Sequence, residues 1–119
     1  MKLQEFGIDG MTIELARLDD IMETEGLVKA EHWDYERITY DRKFSMVEGT
    51  FYLRIMGYAI EGDVGGRHAV IKLITPLLGK HYYPHGVEYG EDEEFPIQVK
   101  QASENILKRV KEKLDPLQV

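Results

Sequence analysis

The chain has 119 residues, of which 43% are hydrophobic and 31% are charged, as is typical of a folded globular domain. Its length suits one domain spanning residues 1–119, and its lack of cysteine excludes disulfides, thiolate metal sites and cysteine nucleophiles. The formal net charge of −7 disfavours nucleic acid and membranes as partners, because an acidic chain repels phosphate backbones and anionic lipid.

The first elements are a short strand and a helix. The N-terminus lacks the apolar run of a signal peptide, and no stretch approaches the ~18 apolar residues of a membrane span, so we expect a cytoplasmic protein. Residues 1–10 predict a short strand. Apolar residues at helical spacing predict a helix over residues 11–25. The alternation of Met11, Ile13 and Leu15 would also suit a strand, which leaves the start of this helix open.

Residues 27–44 are rich in β-branched and aromatic side chains, but their apolar pattern changes phase. The apolar residues at odd positions are Leu27, Trp33 and Tyr35. Those at even positions are Ile38, Tyr40 and Phe44. A shift of one residue moves every side chain to the other face of a strand, so burial of both sets requires a bulge or a bend. We predict that break at residues 34–37.

Residues 50–61 predict a central strand because apolar residues occupy both of its faces. A turn at residues 62–66 and a strand at residues 67–75 follow. Aligning the core faces gives a register for each hairpin. The first hairpin pairs Phe44 with Phe51 and Tyr40 with Ile55, across a loop of residues 46–49. The second pairs Ala59 with Ala69, Gly57 with Ile71 and Ile55 with Leu73.

A long amphipathic helix is predicted over residues 94–117. Its apolar stripe consists of Val99, Ala102, Ile106, Val110, Leu114 and Leu117. The acidic run at residues 91–94 is explained by favourable interaction with the N-terminus of this helix. The predicted fold is therefore α+β and two-layered, with an antiparallel β-meander of three to four strands, an N-terminal helix and a long C-terminal helix.

Residues 75–90 stand apart as a segment too apolar for a linker and too interrupted by proline and glycine for a helix or a long strand. We predict an ordered loop, and ordered loops of this length are usually functional. The candidate ligand-binding residues are His81, Tyr82, Tyr83, His85, Glu88, Tyr89 and Arg54. Arg54 is included because the register places it near the origin of the loop, beside Asp41 or Arg42. There it could hold a carboxylate or phosphate, although an Arg-Asp pair is the commoner outcome.

Several motifs together give the chain a resemblance to a known family. They are Trp33-Asp34-Tyr35-Glu36-Arg37, Tyr52-Leu53-Arg54, Gly57-Tyr58-Ala59 and the segment from Pro76 to Gly90, PLLGKHYYPHGVEYG. With these motifs the chain resembles the YugN-like family of small bacterial proteins of unknown function. The resemblance covers nearly the whole chain. It implies no activity, cofactor or catalytic residue.

A metal site is the alternative use of the histidines. His81 and His85 are four residues apart, which would align them on a helix, but Pro84 between them rules a helix out. With Glu88 they could still form a His-His-carboxylate site for zinc, iron or manganese in a small metal- or acid-base-dependent enzyme. Loop histidines that bond to backbone carbonyls and pack on tyrosines are commoner. We therefore expect neither a metal nor a cofactor.

The second face of the predicted sheet has the composition of an interface. Its candidate interface residues are Tyr52, Met56, Tyr58 and Lys72. Either the N-terminal helix packs on this face or another molecule does, and a two-fold homodimer would bury it. The favoured function is a non-enzymatic binding or regulatory module that uses residues 75–90 and this face. The sequence identifies no small-molecule ligand.

Overall fold

A computed structural model describes residues 1–31, 34–65 and 68–119, and its longest strand, β4 (Gly49–Glu61), lies at the centre of an antiparallel sheet. The other strands are β1 (Thr12–Glu14), β2 (Val28–Lys29), β3 (Arg37–Met46), β5 (Val70–Leu73), β6 (Leu77–Tyr82) and β7 (Gly86–Glu88). The helices are α1 (Leu15–Thr24) and α2 (Ile97–Leu114), with short 3-10 helices at Gln4–Phe6 and Asp115–Leu117. Within the described ranges, no helix is both long and apolar enough to cross a membrane.

The α+β fold with an antiparallel sheet and a C-terminal helix is confirmed, but the sheet is larger than predicted. In the described residues it has seven strands, in the order β1-β5-β4-β3-β2, with β6 pairing to both β4 and β7. The predicted meander of three to four strands was too small. Strands as short as β1, β2 and β7 contain too few residues for alternation to be recognised in a sequence.

The hairpin of β3 and β4 has the predicted register. Phe44 pairs with Phe51 and Tyr40 pairs with Ile55, although the strands continue to Met46 and Gly49, so the turn is shorter than predicted. Both strands are long and have one strongly apolar face. A shift by one residue would expose that face, which is why the sequence specifies the register so well.

The pairing of β4 with β5 differs from the prediction by two residues. Gly57 pairs with Leu73 and Ala59 with Ile71, and the register shifts between Ala59 and Glu61. A shift of two keeps every side chain on its predicted face, so the core face was correct although the partners were not. The irregularity adds one residue to β4 relative to β5, and the predicted simple turn did not include it. The predicted turn and strand also included Gly66 and Arg67, which lie outside the described residues.

The predicted break near residues 34–37 separates two strands and is not a bulge within one. β2 and β3 are antiparallel neighbours, with Val28 paired to Asp41. Oδ1 of Asp34 accepts hydrogen bonds from the backbone N–H groups of Glu36 at 2.8 Å and Arg37 at 3.2 Å, just where β3 begins. The change of phase in the apolar pattern therefore marks the reversal of the chain between β2 and β3. Trp33, part of the predicted pattern, lies outside the described residues.

The helices begin later than predicted. Residues 12–14 form β1, so the alternation of Met11, Ile13 and Leu15 indicates a strand, and α1 starts at Leu15. α2 starts at Ile97 because Pro96 is the extended residue at its N-terminal boundary. The strand predicted in residues 1–10 was wrong, since that segment contains the 3-10 helix and a single bridge between Lys2 and Leu77.

α1 and α2 pack on the same face of the sheet, which we call the core face. Tyr40 on β3 donates a hydrogen bond from its hydroxyl to Oδ1 of Asp19 on α1 at 2.6 Å. The ring of Phe51 on β4 meets the ring of Phe95, just before α2, edge to face at 5.7 Å. Fully buried side chains from the sheet and from both of these helices form one cluster: Leu18, Met22, Leu53, Ile55, Ile71, Leu73, Leu107 and Val110.

Ser103 on α2 is fully buried, and its hydroxyl has no hydrogen-bond partner in the described part of the protein. A buried hydroxyl without a partner destabilises the folded state, and alanine is also the better helix former. Ser103→Ala is therefore expected to raise the free energy of unfolding by about 1 kcal/mol. Urea denaturation would measure this. Ser103→Val, which adds volume to the same packed position, is the comparison variant and is expected to gain less or to lose stability.

Candidate functional site

The sheet face opposite the helices, which we call the open face, is built by β3, β4 and β5. Residues paired directly across antiparallel strands project on the same side. The register therefore gathers Arg37, Thr39, Asp41, Lys43, Tyr52, Arg54, Met56, Tyr58 and Lys72 on this face. Because α1 lies on the core face, it does not cover the candidate interface residues predicted from the sequence. Tyr58 is 40% exposed, and Tyr52, Met56 and Lys72 are partly exposed.

One row of the open face places an aromatic ring between two cations. Tyr58 on β4 pairs with Arg37 on β3 and with Lys72 on β5. In the next row Met56 lies opposite Thr39, and its carbonyl oxygen accepts the N–H of Ile74 at 3.0 Å. A cation therefore lies on each side of Tyr58, and the acids Glu14 and Glu61 lie opposite Val70, two residues from Lys72.

Arg54 forms an ion pair with Asp41 in the third row. Its Nε and Nη2 donate to the two carboxylate oxygens at 2.8 Å and 2.9 Å, so the Arg-Asp pair expected from the sequence is present. The hydrogen bonds to Asp41 raise the pKa of Arg54 although burial opposes this. Because the carboxylate occupies one edge of the guanidinium, Arg54 has only its remaining edge for any further ligand.

Tyr89 covers Arg54 and joins the end of β7 to the open face. The guanidinium carbon lies 5.4 Å from the centre of the Tyr89 ring, a cation-π contact. The Tyr89 hydroxyl is buried and has no hydrogen-bond partner among the described residues. Burial raises the pKa of Tyr89, and the negative charge of Asp41 adds to this while Arg54 opposes it. Tyr89 is therefore a neutral aromatic cover beside the ion pair.

The predicted loop at residues 75–90 is a β-hairpin, so that prediction was wrong. β6 pairs with β4 through Leu78 and Leu53 and with β7 through His81 and Val87. The turn at residues 83–85 contains the cis peptide bond of Tyr83-Pro84 and is followed by Gly86 at φ 102. The proline and glycine that argued against a strand mark the turn between two short strands.

The hairpin does not bring the predicted metal ligands together. His81 pairs with Val87, whereas Glu88 pairs with Lys80, so His81 and Glu88 project from opposite faces of the hairpin. His85 lies in the turn. In the described part of the chain, no group of three or more His, Asp or Glu side chains is arranged to hold a metal ion. The geometry therefore gives no support to an enzyme built on these three residues.

The remaining predicted residues of the hairpin divide between the turn and the core-face side. Tyr83 lies in the turn and is 90% exposed. The Tyr82 hydroxyl donates to the carboxylate of Glu93, and this bond raises the pKa of Tyr82 to about 12. The ammonium of Lys80 lies 5.9 Å from the centre of the Phe51 ring and 5.3 Å from that of Tyr82. These contacts hold the hairpin to the segment before α2. The predicted site residues on the open-face side are Arg54, Tyr89 and His81, since His81 lies on the same side of β6 as Gly79, which pairs with Tyr52.

A cavity of about 1050 Å³ lies at the β3–β4 end of the open face. Its lining from the open face includes Arg37, Thr39, Met56, Tyr58 and Ile74. Its lining also includes the acids Asp34, Glu36 and Asp63. Arg37 was missed in the sequence because it was assigned to the break. Continuing the alternation of Thr39 and Asp41 by one step along β3 would have placed it on this face.

The ring of Tyr89 packs against the backbone of Gly79 on β6. A Cβ atom there would lie 2.5 Å from two carbons of the Tyr89 ring and 2.8 Å from the carbonyl oxygen of Glu88. Gly79→Ala is therefore expected to displace Tyr89 from Arg54 at a cost of about 1 kcal/mol, because β7 lies at the edge of the sheet and can shift. Tyrosine fluorescence and urea denaturation would detect this. Tyr89→Phe, which keeps the ring and removes the buried hydroxyl, should be at least as stable as the parent.

Together, the fold and the site define a class: a small α+β protein whose antiparallel sheet has helices on one face and a tyrosine- and arginine-bearing surface on the other. The chain belongs to the YugN-like family, whose model matches residues 4–114. It is 58% identical to the uncharacterized protein YlbA of Bacillus subtilis (strain 168) over 119 residues, which is 100% of this chain and 99% of YlbA.

Two further comparisons agree with this membership. The uncharacterized protein YugN of Bacillus subtilis (strain 168) is 28% identical over 81 residues, which cover 68% of this chain and 60% of that protein. The crystal structure of the uncharacterized conserved protein YugN from Geobacillus kaustophilus HTA426 superimposes with a TM-score of 0.85 at 54% identity, covering 98% of this chain and 96% of that one. The family and the fold are therefore established together.

Proposed function

We propose that this protein is a non-enzymatic binding or regulatory module that acts as a single domain in the cytoplasm. In this proposal a partner docks on the open face and on the adjoining β6–β7 hairpin. The supporting observation is the position of α1, which packs with α2 on the core face and leaves tyrosine, methionine and arginine side chains of the open face accessible. These three residue types are enriched in protein interfaces.

The form of this face suits a macromolecular partner. Its apolar residues Met56 and Tyr58 are neighbours on the same side of β4, and Ile74, just after β5, bonds to the backbone of Met56. The cavity extends the same surface towards residues 34–36. Contiguous exposed apolar side chains with charged neighbours are typical of interaction sites. Arg54 and Asp41 pair with each other, so this ion pair can be covered without leaving either charge unmatched.

A second copy of the chain is the other candidate occupant, and the interface-like composition of the face favours it. The protein measures 41 × 29 × 23 Å along its principal axes. A stable interface needs about 800 Å² from each partner, an area that a broad sheet face can supply. In that case light scattering after gel filtration would give twice the mass of the monomer, and Tyr58→Glu would return the protein to the monomeric mass.

Site-specific photo-crosslinking inside cells tests the proposal. A photoreactive phenylalanine derivative replaces Tyr58 on the open face. In the control protein it replaces Lys108, an exposed residue on α2. Discrete crosslinked products are expected from the Tyr58 position and none from the control. Mass spectrometry then distinguishes a crosslink to the same chain from a crosslink to a different protein.

The crosslinked products distinguish docking of a partner, a homodimer and the absence of docking. A product with a different protein supports docking of a partner, and a product with the same chain supports the homodimer. If both positions give the same products, or if the Tyr58 position gives none, the open face is not a docking surface and the proposal fails.

A further inference from the structure

We infer that the partner of the open face is a second copy of the chain, related by a two-fold axis that crosses the strands at Met56. This inference rests on the proposed function and specifies both the occupant and its orientation. It starts from the distribution of charge along the strands. The acids of the open face are concentrated at one end of β3 and β4, and an unmatched cation lies at the other end.

The end of the open face at Tyr58 is acidic. Its cations are Arg37 and Lys72, which pair with Tyr58 from either side. Its acids either pair with Val70 or line the cavity, and they are Glu14, Glu61, Asp34, Glu36 and Asp63. The acids outnumber the cations, so this end carries a negative charge.

The end of the open face at Tyr52 has the opposite balance. Lys43 pairs with Tyr52 across the two long strands and forms no ion pair with any described residue. The other charged side chains at this end come in two adjacent pairs of opposite sign, Arg54 with Asp41 and Lys2 with Glu91. Lys43 therefore leaves this end with a positive charge.

A two-fold axis across the strands at Met56 lays the positive end of each copy on the acidic end of the other. Residues equally far from the row of Met56 and Thr39 then lie opposite each other. Arg37 of one copy meets Asp41 of the other, since both are two residues from Thr39 on β3. Lys43, four residues from Thr39, meets the segment at residues 34–36. Complementary charges of this kind fix the orientation of a complex.

The apolar residues lie at the centre of this arrangement. Met56 of one copy contacts Met56 of the other at the axis. Tyr58 of each copy lies over the ion pair of Arg54 and Asp41 of the other, and this pair carries no net charge. Packed sheets lie about 10 Å apart, a distance that such side chains fill. An apolar centre surrounded by charged residues is typical of protein interfaces.

The charges also distinguish this orientation from the other simple two-fold arrangement. If the axis ran along β4, each residue on β3 would meet a residue of β5 or β6 in the second copy. Arg37 and Lys72 pair with Tyr58 from opposite sides, so they would then lie face to face across the interface. Like charges brought together oppose association. The axis across the strands avoids this contact, because it places Leu77 opposite Lys72.

Charge reversals that are complementary between the two copies test the inference. Lys43→Glu places an acid beside Glu36 of the second copy, and Glu36→Lys places a cation beside Lys43. Each variant alone is expected to weaken dimerisation about tenfold. In an equimolar mixture the two variants should form the mixed dimer in preference to either homodimer, because both charge contacts are then attractive. Native mass spectrometry measures the three populations.

The distance between the two positions ensures that this rescue comes from the second copy. Glu36 and Lys43 are seven residues apart, or about 23 Å along a strand, so they cannot pair within one chain. Lys108→Glu is the control, since it makes the same change of charge at an exposed position on α2 and should leave the dimerisation constant unchanged.

Three results would overturn the inference. The first is a parent protein that keeps the monomeric mass of 13.8 kDa in light scattering at a concentration of about 1 mM. The second is an equal effect of Lys43→Glu and Lys108→Glu. The third is a mixed dimer no more abundant than random pairing gives. If the Tyr58 position forms crosslinks to a different protein in any of these cases, docking on the open face stands and only the second copy is refuted.

Discussion

Replacing Gly57 by alanine is expected to lower the free energy of unfolding by about 2 kcal/mol. Gly57 lies in the middle of β4 and faces the core. A Cβ atom there would lie 2.5 Å from Cγ2 of Ile71 and 2.9 Å from the carbonyl oxygen of Lys72. Ile71 is fully buried, so its side chain has no free space in which to move. The added methyl group would force β5 away from β4.

Gly65 provides the matched control for this substitution. A Cβ atom at Gly65 would lie 3.5 Å from Oδ1 of Asp63, an ordinary contact, and the backbone φ of Gly65 is not positive. Gly65→Ala should therefore be neutral or slightly stabilising, because alanine restricts the unfolded chain. Urea denaturation of both variants measures the difference. Equal stabilities would mean that β5 does not lie as close to β4 as the structure has it.

The same strand illustrates what the sequence could predict about the fold. Alternation along β4 identifies its core face, and the long hairpin with β3 has one register that buries both apolar sets. The pairing with β5 is specified less well. Positions two residues apart share a face, so Ile71 and Leu73 are both acceptable opposite Gly57, and the irregularity after Ala59 decides between them.

The site was predictable where local pattern controls it and unpredictable where several segments meet. The register of two long strands placed Arg54 beside Asp41 or Arg42, and the structure pairs it with Asp41. The β6–β7 hairpin was not predictable, because the six-residue strand β6 is stabilised by pairing to β4 and the three-residue strand β7 by pairing to β6, which local sequence does not encode. The cavity beside Arg37 depends on how the segment at residues 34–36 meets the turn after β4, where the N–H of Val64 donates to the carbonyl oxygen of Tyr35 at 2.8 Å, a contact between distant parts of the chain.

Glu25 is expected to carry the other large effect, because its carboxylate joins α1 to α2. It follows the last turn of α1 and accepts hydrogen bonds from Nε of Arg109 at 2.7 Å and from Nζ of Lys113 at 2.6 Å. Its side chain is only 5% exposed, whereas those of Arg109 and Lys113 are 51% and 41% exposed. When Glu25 is substituted, water can therefore hydrate the side chains of Arg109 and Lys113. The cost comes from the lost bonds rather than from a stranded charge.

Glu25→Ala is expected to lower the free energy of unfolding at pH 7 by about 2 kcal/mol, the value of charge-assisted hydrogen bonds reduced for the exposure of both donors. Glu25→Gln should lose less, since the amide oxygen still accepts one bond. Glu104→Ala on α2 is the control, because Glu104 forms no ion pair among the described residues. Its effect on stability should stay within about 0.5 kcal/mol.

The pH dependence of the free energy of unfolding distinguishes the contribution of the charge of Glu25 from that of its packing. Burial alone would raise the pKa of Glu25, but the hydrogen bonds from Lys113 and Arg109 outweigh burial and lower it from the ordinary value of 4.5. A lowered pKa in the folded state stabilises the protein above the unfolded pKa, and this contribution is lost as pH falls through the folded pKa. The stability gap between the parent and Glu25→Gln should therefore be full at pH 7 and shrink below about pH 4.5. Urea denaturation at pH 7, 5 and 3.5 measures it. A gap that stays constant across this range would mean that the two cations do not stabilise the ionised carboxylate.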